Sequence, residues 1–493
     1  MSRKAAKTQT KKIYSTKKSV LKVKEPTLNV FYLPHTKSVG AIIDQMNQKN
    51  VLTRSSDSDS QPFLKELGIQ IEEHRQSIQF TPNEKEIVHR WTPYIQGFSA
   101  SFVQRQIDIH KQEYNLTSGK HWILDPFAGS GTVMIQSKFN GIPSVGTELN
   151  PLLHFTGQVK GNCWNLSGVK LLEIANVLVD NKYEQAPEFL ESTDHFNAKV
   201  LRELERIRGG IKHLETIASL LNGHHTNETV SYIDLLKLAF SSILVECSNL
   251  KRSPCLGYDS KKVVSEDTPQ KLFQAKITQI AHDLDLIRIN YPKQIETTCE
   301  TVLANSMEFE HSQKFALAIT SPPYMNGLDY VINYKIEMAW LDFIKNHSEA
   351  KAIKDEMVVC DNVSKGLTRQ FAKEKNKYQD DWLELIVYKI EENIGERGKY
   401  RRLDMPFIVH KYFDDMYKVF QKVIPTIESG GRFILVVGDS LITDVYLPTD
   451  LLLARMGTKL GMEIEQIQLA RNRRSGQVRT YKLRETIITL RKK

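Results

Sequence analysis

The sequence predicts an α/β protein: a mostly parallel sheet with helices on both faces, a terminal antiparallel hairpin, and a helical insertion. Three observations carry this. Short, near-continuous apolar runs alternate with segments of helical spacing, as strands covered on both faces require. From residue 152 to about 298 the pattern changes to long stretches with apolar residues three and four apart. The chain then closes on "EIEQIQLA" and "ETIITLRK" around a basic turn.

Taken in order, residues 1–62 read as a basic arm and linker, because residues 1–24 carry nine Lys or Arg and no acid and "TRSSDSDSQP" (Thr53 to Pro62) is polar and Ser/Asp-rich. Residues 63–160 begin the core. "WILDPF" (Trp122 to Phe127) is an apolar run ending in Asp-Pro, small residues follow, and "TVMIQSKF" has helical spacing: strand, glycine turn, helix. "PSVGTELNP" (Pro143 to Pro151) is a second strand ending at Glu148. Residues 161–298, with "VKLLEIANVLV" and "SYIDLLKLAFSSILVE", form the helical insertion. Residues 299–343 return to strands in "CETVLANS" and "FALAIT", residues 344–405 are a charged segment, and residues 406–493 complete the core. There, "PFIVHKYFDDMYKVFQKVI" places Ile408, Val409, Tyr412, Phe413, Met416, Val419 and Phe420 on one face of a helix that covers the sheet, and "GRFILVVGDS" is the strand beside it. Sites belong at the carboxyl ends of such strands.

Composition narrows the function. The 493 residues suffice for two or three substructures, and 41% hydrophobic with 25% charged residues is globular. Without an apolar run near the ~20 residues of a bilayer span, no membrane partner and a cytoplasmic, nucleoid-associated protein of bacterial type are expected. The five scattered cysteines contain no CxxC pair, and the adjacent His224 and His225 read as a polar loop, so no metal site is expected. The net charge of +9 concentrates at the ends: residues 471–493 hold nine Lys or Arg against the single acid Glu485. Arms of this kind fit a nucleic acid, which rewards cations by counterion release.

"DPFAGSGT" (Asp125 to Thr132) puts Gly129 and Gly131 in the turn after the first strand, where they let the backbone approach a ligand. Glu148, ending the second strand, is placed to accept ribose hydroxyls. The Gly-Lys-Ser/Thr of a phosphate loop is absent and Met134 stands where a dinucleotide fingerprint needs its third glycine, so the turn suits a nucleoside without phosphates.

With "TSPPY" (Thr320 to Tyr324) added, the chain resembles the S-adenosylmethionine-dependent methyltransferases that act on exocyclic amino groups of DNA bases. "HRWTPYIQGFSASFVQRQI" (His89 to Ile107) is similar to the motif that precedes the glycine loop in that family; the resemblance spans roughly residues 80–160 and 299–493. It implies a Rossmann-like fold and S-adenosyl-L-methionine cradled by Asp125, Pro126, Phe127, Ala128, Gly129, Ser130, Gly131 and Thr132. It also implies Tyr94 at the methionine end, Glu148 on the ribose, Asn305 and Ser306 beside the adenine, with Asn305 standing where the family more often has Asp, and Thr320 at the end of the catalytic strand.

The double proline then has a physical reason. An exocyclic amino nitrogen is a poor nucleophile because its lone pair is conjugated into the ring, and acceptors aimed at its two protons favour the pyramidal nitrogen of the transition state. The Ser321 hydroxyl and Pro322 carbonyl can be those acceptors; Pro322 and Pro323, with fixed φ and no N–H, would hold the carbonyl in place. Tyr324 offers a face for a base rotated out of the duplex. Basic residues of "ARNRRSGQVRTYK" (Ala470 to Lys482), namely Arg471, Arg473, Arg474, Arg479 and Lys482, are expected in the hairpin turn to bind DNA phosphates with Tyr481 nearby. Asp439 and Ser440 are candidates for shaping the base site. The resulting expectation is double-stranded DNA as substrate, cytosine N4 favoured by the serine over adenine N6, with an RNA base as alternative. A cognate restriction endonuclease is an expected partner, and the helical insertion or the 344–405 segment is expected to read the target.

Overall fold

The computed structural model describes residues 37–47, 51–73, 78–79, 81–95, 97–178, 181–190, 192–220, 227–252, 255–360, 363–397, 402–476 and 478–493. The basic arm of residues 1–30 and the His224–His225 pair lie outside the described residues. Helices α1 (Lys37–Met46), α2 (Ser56–Asp59) and α3 (Gln61–Leu67) precede strand β1 (Glu72–Glu73), helix α4 (Ala100–Glu113), strand β2 (Ile123–Asp125), helix α5 (Thr132–Phe139), strand β3 (Ser144–Glu148) and helix α6 (Pro151–Asn162). The insertion supplies α7 (Gly168–Asn176), α8 (Ser192–His195), α9 (Ala198–Leu220), α10 (Asn227–Cys247), a small hairpin of β4 (Leu250–Arg252) and β5 (Leu256–Tyr258), and α11 (Thr268–Asn290). Strands β6 (Cys299–Leu303) and β7 (Phe315–Thr320) lead to α12 (Tyr330–Trp340), α13 (His347–Glu356), α14 (Lys365–Lys373), α15 (Asp381–Arg397) and α16 (Met405–Thr426). The chain ends with β8 (Ile427–Gly438), the pair β9 (Ser440–Ile442) and β10 (Val445–Leu447), α17 (Thr449–Lys459), β11 (Met462–Arg474) and β12 (Lys482–Lys492).

Eight strands form one sheet in the order β1-β11-β12-β8-β7-β2-β3-β6. From β8 to β6 all neighbours are parallel, while β12 runs antiparallel to both β8 and β11, which is the expected terminal hairpin. Successive residues of a strand point to opposite faces. Leu317, Ile319, Ile434, Val436 and Ile487 therefore join Phe102, Val103 and Ile107 of α4 on one side. Ala318, Phe433, Leu435 and Ile488 meet α16 on the other, and all seven residues predicted for the apolar face of that helix are buried there. Each such side chain contributes roughly 1.5–3 kcal/mol relative to exposure, so α16 is fixed to the sheet by its stripe.

The insertion shares the core rather than standing apart. Trp164, Phe196, Phe240 and Ile280 belong to the same apolar cluster as Met134 of α5, Leu152 of α6 and Trp340 of α12. The Trp340 ring meets the edges of Phe196 at 5.6 Å and Phe240 at 5.8 Å between centroids.

Two expectations are corrected. "TRSSDSDSQP" is not a linker: two of its serines build the capping box of α2, with Ser55 as N-cap and Ser58 at N3. Asp59, 2% exposed, accepts from Arg54 Nε at 3.0 Å and from the Tyr481 hydroxyl at 2.7 Å, which ties this segment to the terminal hairpin. The C-terminal cations divide: Arg484 and Lys492 serve the fold, whereas Arg471, Arg474, Arg479, Lys482, Arg491 and Lys493 are exposed. Arg484 is buried against Asp450 at 3.2 Å, Asp439 at 3.4 Å and the Ser60 hydroxyl at 2.7 Å. Lys492 donates to the carbonyls of Ile424 at 2.9 Å and Ile427 at 2.6 Å, closing the end of α16. Tyr481 is fully buried and faces no phosphate.

Candidate active site

The site lies at the carboxyl ends of β2, β3, β6 and β7. Asp125 ends β2 and turns its carboxylate inward, accepting from Thr320 Oγ1 at 2.7 Å and from the Phe127 amide at 3.0 Å. That bond ties the glycine turn to the strand carrying the "TSPPY" motif, and burial pushes the Asp125 carboxyl up to about 7. Gly129 and Gly131 adopt φ of +52° and +86°, a region that side chains rarely enter. A Cβ on Gly129 would also fall 2.3 Å from the Tyr94 hydroxyl oxygen, so the glycine is needed for space as well as conformation.

Glu148 ends β3 and organises the turn through both carboxylate oxygens. One accepts from the Gly129 amide at 2.9 Å and the other from the Asn150 amide at 2.7 Å. Burial raises its carboxyl to about 7, against the pull of these amides. Glu148, Tyr94, Phe127, Asn305, Ser306, Ser321 and Pro323 line one narrow cavity of about 50 Å³, closed further by Tyr330, Met357 and Val358. Asn305 caps the turn after β6 by accepting from the Met307 amide at 3.0 Å, and donates to the Glu356 carbonyl at 2.9 Å. Ser306 bonds Thr147 Oγ1 at 2.9 Å and the Pro126 carbonyl. Among the predicted cofactor residues, Asp125, Pro126, Ala128, Gly129, Ser130, Gly131, Thr132 and Thr320 do not line this cavity; they form the turn and strand ends beside it.

Ser321 and Tyr94 also face a second, wider cavity of about 370 Å³, walled by Tyr324, Val436, Arg471, Arg473 and Glu485. The Ser321 hydroxyl donates to the Val436 carbonyl at 3.1 Å, which leaves its oxygen to act as acceptor. Tyr324 donates to Glu485 at 2.7 Å; burial, then the adjacent Glu485 carboxylate, keeps its phenol protonated. Arg473 lies 5.5 Å from the Tyr324 ring centre and Arg471 pairs with Glu485.

The placement of the predicted basic residues differs from the expectation. Arg471, Arg473 and Arg474 lie in β11 and Lys482 in β12, leaving Arg479 as the one of the five in the turn. Strand alternation sends Arg471 and Arg473 into the wide cavity, while Arg474, Arg479 and Lys482 are exposed outside it. The Asp439 side chain does not line the cavity: it is buried against Arg484 and the Tyr446 hydroxyl, 2.5 Å away.

Several site residues carry no sequence signal. Glu485 reads only as a lone acid in a basic run, and Met357 and Val358 come from the 344–405 segment, which packs against the core beside the sheet. Asp283 of α11 is fully buried in the insertion. It accepts from the Val88 amide at 3.1 Å, Arg90 Nε at 3.1 Å and Trp91 Nε1 at 2.9 Å, and so holds the strained turn (Val88 φ +65°) that leads to Tyr94. Its partners are 192 to 195 residues away in sequence, beyond the reach of any local pattern.

No family model and no solved structure matches the chain. Curated relatives do. The Type II methyltransferase M.BsoBI of Geobacillus stearothermophilus is 25% identical, over 81% of this chain and 84% of its own. M.AvaI of Nostoc sp. is 23% identical over 84% and 87%, and M.MvaI of Kocuria varians 21% over 81% and 87%. These similarities, each over more than four fifths of the chain, make it a relative of the Type II methyltransferases, in keeping with its resemblance to the S-adenosylmethionine-dependent DNA amino-methyltransferases.

Proposed function

We propose that this protein methylates the exocyclic amino group of a DNA base, with cytosine N4 in a specific sequence as target, in a restriction-modification setting. The supporting observation is that Ser321 and Tyr94 stand on the wall between the two cavities, one carrying Glu148, Phe127 and Asn305 and the other Tyr324, Arg471 and Arg473. A nucleoside cofactor on one side and a base on the other would meet at Ser321.

The donor set fits S-adenosylmethionine. Glu148 supplies a carboxylate for ribose hydroxyls, Phe127 an apolar ring and Asn305 an amide for the adenine, and the glycine turn contains no phosphate-binding lysine. When bound, the cofactor supplies an electrophilic methyl on a sulfonium. The chain does the rest. Ser321 Oγ and the Pro322 carbonyl accept the two amino protons, which frees the nitrogen lone pair to attack. The bound cofactor would supply its methyl to that nitrogen and keep the bond pair on sulfur, while Ser321 and the Pro322 carbonyl hold the amino protons, one of which leaves to solvent. The relatives are Type II methyltransferases, which supports methyl transfer, and the serine of the motif favours cytosine over adenine.

The test is tritium transfer from labelled cofactor to unmethylated duplex DNA or to RNA, followed by nucleoside mass spectrometry. N4-methylcytosine in DNA is expected. N6-methyladenine would keep the chemistry and change the base, labelled RNA alone would change the substrate, and no transfer to either would end the proposal.

A further inference from the structure

The wide cavity contains more recognition chemistry than the transfer itself needs. Next to the amino group, cytosine presents two adjacent acceptors, ring N3 and O2. Adenine presents one, N1, followed by a carbon-bound hydrogen. A base whose amino group lies at Ser321 and the Pro322 carbonyl would present this neighbouring edge within the cavity that Ser321 shares with two arginines.

They are not equivalent. Arg471 is engaged by Glu485 through its Nε, and Glu485 in turn receives the Tyr324 hydroxyl. Arg473 donates Nη2 to the Asp439 carbonyl, but its Nε is buried and without an acceptor among the described residues. A buried donor left unpaired costs about 1–3 kcal/mol, so this guanidinium is incomplete until something accepts from it. Its position is also enforced. A Cβ on Gly438 would fall 2.5 Å from Arg473 Nη2 and 3.0 Å from Tyr324 Cε2, so β8 carries a glycine where the arginine lies against the tyrosine ring.

We infer that Arg473 is a specificity-determining residue that reads the N3 and O2 edge of an extruded cytosine, opposite the acceptors on its amino group. This rests on the methyltransferase reading above and gives that site its base. A planar guanidinium fork matches two adjacent acceptors, whereas adenine in the same pose leaves one arm facing a C–H. Arg474, exposed on the other face of the same strand, lies outside the cavity, where it can meet a phosphate but no extruded base.

The experiment compares the full-length chain with its Arg473→Met, Gly438→Ala and Arg474→Met variants on unmethylated duplex DNA. Initial rates give kcat and KM, nucleoside mass spectrometry identifies the product, and calorimetry follows binding of S-adenosylhomocysteine. Arg473→Met is expected to lower kcat about 10- to 100-fold, the discrimination of a bidentate arginine–base pair, with cofactor affinity unchanged. Gly438→Ala, which keeps the charge but displaces the fork, is expected to lower kcat likewise, and Arg474→Met to raise KM for DNA with kcat retained. Wild-type N6-methyladenine as product, or an Arg473→Met variant that changes only KM, would overturn the role of Arg473 while leaving amino-group methylation intact. Wild-type protein that methylates no DNA would overturn both.

Discussion

Asp283 offers the sharpest test of how the insertion supports the site. Replacing it with alanine removes one fully buried carboxylate and strands four donors: the Val88 amide, two nitrogens of Arg90 and Trp91 Nε1. Removing one partner of a buried ion pair costs about 3–5 kcal/mol, and the two neutral N–H groups are within that sum rather than added to it. The loss falls on a turn already strained at Val88, whose φ of +65° is held by these bonds. Taking about 3 kcal/mol as the local loss, opening of the 88–95 segment becomes more than 100-fold more frequent at 1.36 kcal/mol per factor of ten. Hydrogen exchange read by mass spectrometry measures this directly, since local opening sets the exchange rate of the Val88 and Trp91 amides. Asp283→Ala is expected to accelerate exchange there by about 100-fold and to weaken cofactor binding through displacement of Tyr94; Asp283→Asn, which keeps an acceptor, should lie between. Exchange within threefold of the parent, with unchanged cofactor affinity, would refute the claim that α11 positions the site.

Other predictions follow from the same geometry. Ser321→Ala removes an acceptor on the amino group and is expected to lower kcat by roughly 10²–10³, the effect of losing one such preorganised partner; a parent rate would assign the acceptor elsewhere. Because burial holds Glu148 near 7, only about a tenth of it is ionised at pH 6, so cofactor affinity is expected to strengthen about tenfold between pH 6 and 8. Asp125 titrates in the same range, so the decisive comparison is Glu148→Gln, in which calorimetry should find the slope gone. Gly129→Ala forces a methyl onto the Tyr94 hydroxyl at positive φ and is expected to reduce cofactor binding at least tenfold without unfolding the protein, read by calorimetry beside a melting curve. Tyr481→Phe deletes the buried hydroxyl on Asp59, a hydrogen bond to a charged group worth about 1.5–3 kcal/mol, and should lower the melting temperature; an unchanged melt would detach α2 from the hairpin.

By itself the sequence determined the parts of this protein that obey short-range rules. Strands buried on both faces must be apolar throughout, α16 must carry one stripe, and a turn with φ of +52° and +86° must be built from glycine, so β2, β3, β7, β8 and the "DPFAGSGT" turn were all legible. Tertiary structure alone decided which charges serve the fold and which line a cavity. Arg473 and Arg484 look alike in a basic run, yet one borders the cavity and the other is buried among Asp439, Asp450 and Ser60. "SSDSDS" has the composition of a linker and becomes a capped helix because Arg54 and Tyr481 supply partners for Asp59. Asp283 and Glu485 owe their roles to residues more than 160 positions distant. Periodicity and turn chemistry are local and leave a mark in the string; the pairing of buried charges depends on which chain segments meet, and that is settled only when the sheet closes.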